Sequence, residues 1–329
     1  MSDWQPGADD NASAGQSSGC TVAALKARAK LNQQVRAFFS ERGVLEVETP
    51  ALSQGGNTDP YIDSFSVETP TGLRYLHTSP EYPMKRLLVA GSGDIYQVCK
   101  VWRQDESGSR HNPEFTLLEY YRIGFSYQRL MQEVALLLHT LLPRLDKPAQ
   151  FLTYQHCFLE RLGINPHIAS EEQLKNCASG QGLNISGSFN RQEWLDLLFT
   201  HVIEAGFATD RLTFVYHYPA AQSALACVTE HQGHQVAERF EIYLGAMELG
   251  NGYQELIDGE ANAGKLEQDA QLRTKTGLKP VTTDQRFIQA MQQGMPRASG
   301  VAIGLDRVLL CAQDKKTLNQ VISFSWELA

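Results

Sequence analysis

Residues 101–121 read VWRQDESGSRHNPEFTLLEYY, and the predicted fold is built around them. Two apolar and aromatic runs, Ile95–Trp102 and Phe115–Tyr121, flank a polar stretch that contains Gly108 and Pro113. This pattern predicts two strands joined by a loop. Ordinary hairpin loops have about two to five residues, and this loop is roughly twice as long. A long charged loop between two strands is a common place for functional residues.

The predicted hairpin carries groups that suit a nucleotide. Arg103 ends the first strand, and a guanidinium on a rigid base can bind a phosphate through two hydrogen bonds. Strand alternation places four side chains of the return strand on one face: Phe115, Leu117, Glu119 and Tyr121. The same residues are also typical of an aromatic core strand beside a surface loop of ion pairs. The hairpin alone leaves both interpretations open.

The composition is that of a soluble globular protein. The chain has 329 residues, of which 42% are hydrophobic and 20% are charged, and its net charge is −8. No apolar run is long enough for a membrane span, and no secretory signal pattern is present. Six cysteines without a Cys-x-x-Cys pair suit reduced thiols, so we expect a cytoplasmic protein. The acidic balance disfavours a basic nucleic-acid-binding protein.

The order of predicted elements indicates an α+β fold with a mostly antiparallel β-sheet flanked by helices. Residues 1–20 are rich in Gly, Ser, Ala and Asp, and we expect a flexible tail there. Residues 21–329 are expected to form one domain. Within it, residues 154–206 have a helical pattern, which we interpret as an insertion.

Several elements can be assigned around the hairpin. Thr21–Arg42 has helical periodicity and is followed by Gly43, a common helix-ending residue. A second helix is predicted after Pro80, over Glu81–Ala90. Two further strands are predicted at Thr213–Tyr218 and Arg239–Leu249.

The common sequence motifs for phosphate, dinucleotide and hydrolase sites are not found. Cys227, His231 and His234 have a loosely metal-like spacing. A zinc site needs a fourth ligand and a rigid frame. Since the segment reads as a Gln- and Gly-containing loop, a surface loop is the favoured interpretation.

A second group of candidate residues lies at Glu248–Glu255, which reads ELGNGYQE. In a regular strand, the two terminal glutamates would point to opposite faces. Gly250 and Gly252 allow a bulge, which can bring both carboxylates to one side. Two carboxylates on one side require a cation, such as Mg²⁺ with a nucleotide or an ammonium group of a substrate. A glycine-rich turn between two solvated acids remains the alternative.

A third group lies at Gly300–Arg307, which reads GVAIGLDR. Small residues in a strand let a flat ligand or another backbone approach closely. Asp306 and Arg307 would stand in the first turn of a following helix, where an arginine can pair with a phosphate or cover a base. Close packing between a strand and a helix would produce the same sequence pattern.

Together and in this order, the three groups resemble the signature motifs of class II aminoacyl-tRNA synthetases. Arg42–Pro50 resembles the first motif, Arg103–Phe115 the second, and Gly304–Arg307 the third. The segments RHNPEF, TSPEY and ELGNG resemble the lysyl branch. Because lysyl-tRNA synthetases carry an N-terminal OB-fold domain that reads the anticodon, and this chain begins its catalytic region near residue 20, it is most similar to their stand-alone paralogs, the elongation factor P lysyltransferases.

The resemblance implies that the domain binds ATP and Mg²⁺. It implies catalytic roles for Arg103 on the α-phosphate, Glu248 on Mg²⁺ and ATP, and Arg307, which with Phe115 would enclose the adenine. The full implied nucleotide site comprises Arg103, Gln104, Asp105, Asn112, Phe115, Glu248, Leu249, Gly304 and Arg307. Metal ligation is expected from Glu248 and Glu255.

The resemblance also implies a pocket for (R)-β-lysine. Its expected residues are Ser79, Pro80, Glu81, Tyr121, Glu255 and Ala302. Glu81 and Glu255 would each face one amine, since a diamine needs an anionic group at each end. The acceptor would be a lysine of elongation factor P rather than tRNA, and the Arg42–Pro50 region would form a homodimer interface.

Two positions depart from the lysyl pattern. The second motif normally reads Arg-x-Glu, and here Asp105 stands where the glutamate is expected. Ala302 stands where lysyl-tRNA synthetases usually have glycine. Its methyl group would narrow the amino-acid pocket, and we hypothesise that it disfavours α-lysine.

Other functions remain possible at this point. A truncated lysyl-tRNA synthetase would charge tRNA with lysine, and the lack of an anticodon domain counts against it. A synthetase-like regulatory subunit would have lost the ATP-binding arginines, but Arg103 and Arg307 are present. ATP-dependent amidation of a small acid is not supported by lysyl-type pocket residues.

Overall fold

The computed structural model of the chain describes residues 19–104, 106–183, 185 and 187–329. Most of the predicted tail, and Asp105, therefore lie outside the described residues. The described end of that tail is packed. The amide of Gly19 donates to the carbonyl of Ser323 at 3.0 Å, and Cys20 is buried. Gly19 and Cys20 therefore belong to the packed region.

The helices follow the order expected from the sequence, within one or two residues at the ends predicted above. They are α1 (Val22–Ser40), α2 (Glu81–Val89), α3 (Tyr127–Leu141), α4 (Tyr154–Leu162), α5 (Glu171–Gly180), α6 (Arg191–Leu198), α7 (Gly259–Lys275), α8 (Gln285–Gln292) and α9 (Leu305–Ala312). A π-helical turn, Phe199–Ile203, extends α6, and short 3₁₀ turns span Glu204–Gly206, Ala220–Gln222 and Leu318–Gln320.

The strands form two sheets. They are β1 (Leu45–Glu46), β2 (Leu52–Ser53), β3 (Ser66–Thr69), β4 (Gly72–Leu76), β5 (Ile95–Trp102), β6 (Glu114–Ile123), β7 (Gln150–Thr153), β8 (Leu212–Pro219), β9 (Val228–His231), β10 (His234–Leu244), β11 (Met247–Gln254) and β12 (Ala298–Gly304). Among the described residues, the larger sheet has the order β1-β5-β6-β12-β11-β10-β8-β7, and β9 pairs with β10. The smaller sheet has the order β2-β4-β3.

The larger sheet is mostly antiparallel, which confirms the predicted fold class. Its two parallel pairs, β1 with β5 and β7 with β8, lie at its edges. The hairpin of β5 and β6 is confirmed in register, with Trp102 opposite Glu114. Its loop spans residues 103–113, and at the tip Gly108 and His111 form a further bridge.

Helix α1 shows why the local pattern was informative. The hydroxyl of Thr21 accepts a hydrogen bond from the amide of Ala24 at 3.3 Å and so caps the first turn. The apolar positions at helical spacing, such as Leu31 and Val35, are buried in the main core. Gly43 adopts a φ of +65°, a left-handed conformation that glycine tolerates at a helix end.

Side-chain alternation divides the larger sheet into a core face and a site face. Leu118, Tyr120, Ile242 and Ile303 point into the main core, which also contains side chains of α1, α3 and α9. The alternate residues of the same strands therefore point to the other side. Helices α4 to α6 cover part of that second side through a separate core that includes Val215.

One predicted strand was wrong. Arg239–Leu249 is not continuous, because β10 ends at Leu244 and β11 begins at Met247. Gly245 makes the turn with a φ of +55°. The turn was missed since Gly-Ala between apolar residues carries few of the polar residues that usually mark a turn.

No helix in the described part of the chain is both long and apolar enough to cross a membrane.

Candidate active site

A cleft of about 560 Å³ lies over the site face of the sheet. Across β6, β12, β11 and β10 the register aligns one row of residues: Glu119, Ala302, Asn251 and Glu241. The next row is Tyr121, Gly300, Tyr253 and Arg239. All eight residues line the cleft. The sheet therefore brings side chains from four separate segments to one surface.

A β-bulge aligns the predicted acidic residues. Residue Ile242 of β10 pairs with Gly250, but the next residue, Tyr243, pairs with Glu248. Leu249 is therefore the extra residue of the bulge. The bulge shifts the alternation by one, so Glu248 and Glu255 lie on the same face, as the glycine pattern predicted.

Three carboxylates line one part of the cleft, and with the buried Lys85 behind them they form a group here called the carboxylate cluster: Glu81, Lys85, Glu119 and Glu255. Glu81 is partly exposed, and the other three side chains are buried. Lys85 is fully buried, and its Nζ lies 2.6 Å from Glu81 Oε1 and 2.5 Å from Glu255 Oε2. Tyr253 donates its hydroxyl proton to Glu81 at 2.6 Å. The cluster thus joins α2 to the end of β11.

The start of α2 positions two members of the cluster. Pro80 is the N-cap residue, and Glu81 occupies the first turn, where the helix dipole favours a negative charge. The Ser79 hydroxyl accepts from the amide of Glu81 at 3.0 Å and donates to Glu119 at 2.7 Å. Tyr121 donates to the other oxygen of Glu119 at 2.6 Å. Ser79 and Tyr121 therefore hold Glu119 from both sides.

The electrostatics of this cluster are set by three carboxylates that share one ammonium. Burial, reinforced by Glu81, raises the pKa of Glu119 to about 7. Burial also raises the pKa of Glu255 to about 8, although Lys85 opposes the shift. For Lys85 itself, burial lowers the pKa, but Glu255 and Glu81 outweigh it and the net pKa is raised. Without a ligand, the three acids are therefore not all ionised near neutral pH.

Arg103 also lines the cleft, and Phe115 lies next to it. The Arg103 Cζ atom lies 5.1 Å from the centre of the Phe115 ring. One guanidinium nitrogen lies 3.0 Å from Glu106 Oε1, and Nε donates to the carbonyl of Thr78 at 3.4 Å. A phosphate at Arg103 would therefore replace Glu106 as its partner.

Arg307 is held by β11 and by the hairpin loop. Its Nη1 donates to the carbonyl of Glu248 at 2.9 Å, and Nη2 lies 2.7 Å from His111 Nε2. Partial burial and then Arg307 lower the pKa of His111, so its neutral ring can accept this hydrogen bond. Asp306 accepts from the amide of Thr116 at 2.9 Å, which fixes the start of α9 next to Phe115.

Residues 19–327 match the family model of tRNA synthetases class II (D, K and N). The chain belongs to the class II tRNA synthetase family. Several proteins named elongation factor P–(R)-β-lysine ligase are similar to it. The relative from Haemophilus ducreyi is 42% identical over 99% of this chain and 97% of its own length. For Avibacterium paragallinarum the identity is 43% over 94% and 97%, and for Pectobacterium atrosepticum 42% over 99% and 98%.

The expected pair of metal ligands, Glu248 and Glu255, needs correction. Six residue steps along β11 separate Glu248 from Glu255 once the bulge is removed, which at strand rise is about 20 Å. One ion cannot be ligated by both. The carboxylate beside Glu248 is instead Glu241, which raises the pKa of Glu248 after burial, while Arg307 and Arg239 lower it. Sequence spacing identified the shared face but not the actual neighbour.

Some of the residues that were predicted to bind the nucleotide instead contact other parts of the chain. Leu249 is buried in the main core, so only its backbone can face the cleft. Asn112 donates to the carbonyl of Glu114 at 2.6 Å and accepts from the amide of Trp326 at 2.9 Å. Its amide thus anchors the C-terminal segment, and its role in nucleotide binding stays a prediction. Gln104 is exposed, and within the described part of the chain only its backbone is engaged: its backbone N–H donates to the backbone carbonyl of Asp63 at 2.9 Å.

Gly304, expected in the nucleotide site, and Ala302, expected in the β-lysine pocket, both lie on β12. Gly304 is the N-cap residue of α9, and Ala302 stands between Glu119 and Asn251 in the sheet. Gly300 is tightly enclosed, since a Cβ there would lie 2.4 Å from Tyr121 and 2.5 Å from Glu255. The site itself therefore requires small residues on β12.

Within the described residues, no three His, Cys, Asp or Glu side chains are arranged to hold a metal ion. The three residues with metal-like spacing, Cys227, His231 and His234, are no exception. The Cys227 thiol donates to the carbonyl of Glu255 at 3.1 Å, while His231 and His234 contact the rings of His217 and His167. A zinc site of that composition is not present there.

The structure adds Lys85, Tyr253, Asn251 and Glu241 to the candidate site, and it gives a place in the site to Glu119, which the sequence had put on the right strand face without a role. Two of them had a usable signal. Lys85 follows Glu81 by four residues on a helix, and Glu119 shares a strand face with Tyr121. Glu241 had none, because the turn that separates β10 from β11 was not recognised.

Proposed function

We propose that the protein activates (R)-β-lysine with ATP as an adenylate and transfers the β-lysyl group to a lysine ε-amino group of elongation factor P. The names of its relatives support the amino acid and the acceptor. The observation that carries the proposal is the charge of the carboxylate cluster. Three carboxylates and one ammonium leave two negative charges when all are ionised. A diamino acid supplies two ammonium groups, which balance that charge.

In the activation step, a carboxylate oxygen of β-lysine attacks the α-phosphorus of ATP, and the bond to pyrophosphate breaks. Arg103 would neutralise the α-phosphate, and Phe115 and Arg307 would enclose the adenine. Gln104, Asn112 and Gly304 would line the remainder. Catalysis of this kind depends on positioning and charge neutralisation rather than on a covalent nucleophile.

In the transfer step, the neutral amine of the acceptor attacks the carbonyl carbon of the adenylate. The bond between that carbon and the phosphate oxygen breaks, and AMP leaves with the electron pair. The proton lost from nitrogen passes to water. Because no tRNA-specific element is needed for this step, a polypeptide amine is a sufficient acceptor.

The pair Glu241 and Glu248 suits Mg²⁺ bound together with ATP. Burial and Glu241 raise the pKa of Glu248 although Arg307 and Arg239 oppose the shift, as expected for two neighbouring carboxylates. Mg²⁺ is commonly held by one or two carboxylates together with substrate phosphates. When bound, it would neutralise charge on the phosphates.

We further propose a homodimer through the Arg42–Pro50 region. Strand β1 lies at an edge of the larger sheet, and Leu45 on it is 55% exposed. Val22 and Leu25, in the first turn of α1, are further exposed apolar residues. A reducing cytoplasm remains the expected compartment.

The function can be tested with one set of reactions. The protein is incubated with ATP, Mg²⁺ and either (R)-β-lysine or α-lysine, and pyrophosphate exchange is measured. Elongation factor P or lysine tRNA is then offered, and the mass of each acceptor is determined. We expect β-lysine-dependent exchange and one β-lysyl addition to elongation factor P. Charged tRNA with unmodified elongation factor P would instead support a lysyl-tRNA synthetase.

A further inference from the structure

A side arm of the cleft lies between the helices after β7 and the outer strands of the sheet, on the side of Glu241. We define the side arm by five lining residues: Tyr154, Gln192, Asp196, Glu204 and Gln222. Tyr154 begins α4, Gln192 and Asp196 lie on α6, and Glu204 follows the π-helical turn. None of these residues belongs to the groups assigned above to ATP or β-lysine.

Tyr154 is the first sign that the side arm binds a ligand. Tyr154 is only 1% exposed, and its ring stacks on the ring of Phe199 with the ring centres 5.0 Å apart. Tyr154 lines the cleft, and its buried hydroxyl has no hydrogen-bond partner among the residues that the structure describes. A buried hydroxyl without a partner is costly, so such a group usually meets water or a ligand.

Two glutamine side chains also present free acceptors. The amide nitrogens of Gln192 and Gln222 both donate to Asp196 Oδ1, the first at 2.9 Å. This orientation is required, since a rotated amide would place oxygen against oxygen. The amide oxygens of both glutamines are buried and have no donor within the described ranges. The side arm therefore has unused acceptors.

Two carboxyl groups line the side arm, those of Asp196 and Glu204. Burial and the nearby Glu241 raise the pKa of both groups, so a cation bound beside them would favour their ionised forms. Two cations of the cleft, Arg239 and Lys265, are already engaged. Arg239 donates to Glu241 at 2.6 Å and to the carbonyl of Gln222 at 2.8 Å, and Lys265 pairs with Asp269 at 2.9 Å. An incoming positively charged donor would find both charge and acceptors.

The side arm is also reachable. Tyr61 lines the same cleft, is 86% exposed, and is close enough to Asp196 and Glu193 for these acids to raise its pKa after burial. An exposed aromatic side chain beside an acidic pocket is a common contact for a polypeptide.

We propose that the side arm binds the ammonium group of the acceptor lysine before that lysine reaches the adenylate. This rests on the proposed function, because it requires a lysine side chain as acceptor. A primary ammonium has three donors and one positive charge, which match the hydroxyl of Tyr154, the carboxylate of Asp196 and the two amide oxygens. Asp196 and Tyr154 are binding residues for the acceptor and take no part in adenylate formation.

The test separates the two half-reactions. Asp196→Asn removes the charge but keeps an oxygen for the glutamines, and Tyr154→Phe removes only the unpartnered hydroxyl. Three quantities are measured: β-lysine-dependent pyrophosphate exchange, discharge of the adenylate by hydroxylamine, and kcat/KM for elongation factor P. We expect exchange and hydroxylamine discharge within about twofold of wild type. We expect kcat/KM for elongation factor P to fall by about tenfold in Asp196→Asn and about threefold in Tyr154→Phe.

Matched controls exist in the same chain. Glu160→Gln removes a carboxylate on the exposed surface of α4, and Tyr120→Phe removes another buried unpartnered hydroxyl, on the core face of the sheet. Both should transfer at the wild-type rate. The proposal is overturned if Asp196→Asn and Tyr154→Phe modify elongation factor P as wild type does, or if they lose exchange and transfer equally. If wild type itself shows no exchange or no modification, the proposed function fails instead.

Discussion

The Nζ atom of Lys85 lies 2.5 Å from a carboxylate oxygen of Glu255. The same ammonium lies 2.6 Å from Glu81. The two acids expected to face the amines of the substrate are therefore already linked by a lysine of the chain. A substrate ammonium joins this network rather than filling an empty anionic pocket. Lys85 thereby sets how much negative charge remains for the ligand.

Lys85→Met is expected to destabilise the protein by about 3–5 kcal/mol, because it leaves two carboxylates without their shared cation. The free energy of unfolding is measured by urea titration at neutral pH. Lys100→Met is the control, since Lys100 is half exposed and pairs with Glu114 at 3.4 Å. Its effect should stay within about 1 kcal/mol. Equal effects of the two changes would contradict a special role for Lys85.

Binding of β-lysine is expected to weaken as the pH falls from 8 to 6. Burial raises the pKa of Glu119 to about 7 and that of Glu255 to about 8, so both become protonated over this range. Protonated carboxyls do not attract an ammonium, whereas the amines of the substrate stay protonated throughout. The Kd for β-lysine is measured by calorimetry at several pH values.

The variant Glu119→Gln serves as the comparison for this pH dependence. It removes one titrating group, so its Kd at pH 8 should be higher than that of wild type and should change less with pH. A wild-type Kd that is constant from pH 6 to 8 would rule out the assignment.

Gly300→Ala is expected to abolish adenylate formation. A Cβ at this position would lie 2.4 Å from Tyr121 and 2.5 Å from Glu255, and both side chains are buried. Pyrophosphate exchange and the melting temperature are measured together. Gly264→Ala is the matched control, because Gly264 lies within α7 with no atom within 4 Å of the added carbon. That variant should retain exchange and gain about 0.5–1 kcal/mol in stability.

Ala302→Gly is expected to shift the substrate preference toward α-lysine. Ala302 stands in the sheet between Glu119 and Asn251, so its methyl group narrows the space beside the carboxylate cluster. One carbon in a pocket changes discrimination by about tenfold or more. The ratio of kcat/KM for the two isomers is measured by pyrophosphate exchange, and an unchanged ratio would sink the hypothesis.

Leu45→Glu is expected to yield a monomer. Leu45 is exposed on edge strand β1, and a buried unpaired charge there would oppose association. Sedimentation measures the mass of wild type and variant. Leu159→Glu on the exposed side of α4 is the control and should leave the mass unchanged. A wild-type monomer would argue against the proposed interface.

The predicted fold and its central hairpin agree with the structure because both depend on periodic patterns. Alternation in β6 separates Leu118 and Tyr120, which are buried in the core, from Glu119 and Tyr121 on the site face. The break at Gly245 was missed because its turn lacks polar residues. Asp105 lies outside the described residues, so the consequence of its shorter side chain is not tested.

The amino-acid sequence by itself determined which residue types stand on each face of the sheet, and the bulge near Gly250. Only the tertiary structure decided which charges meet. Lys85 joins Glu255, and Glu241 rather than Glu255 accompanies Glu248. The physical reason is that alternation and helix spacing depend on neighbours in the chain, whereas these contacts depend on the packing of α2 against β11 and on the strand that pairs beyond an unrecognised turn.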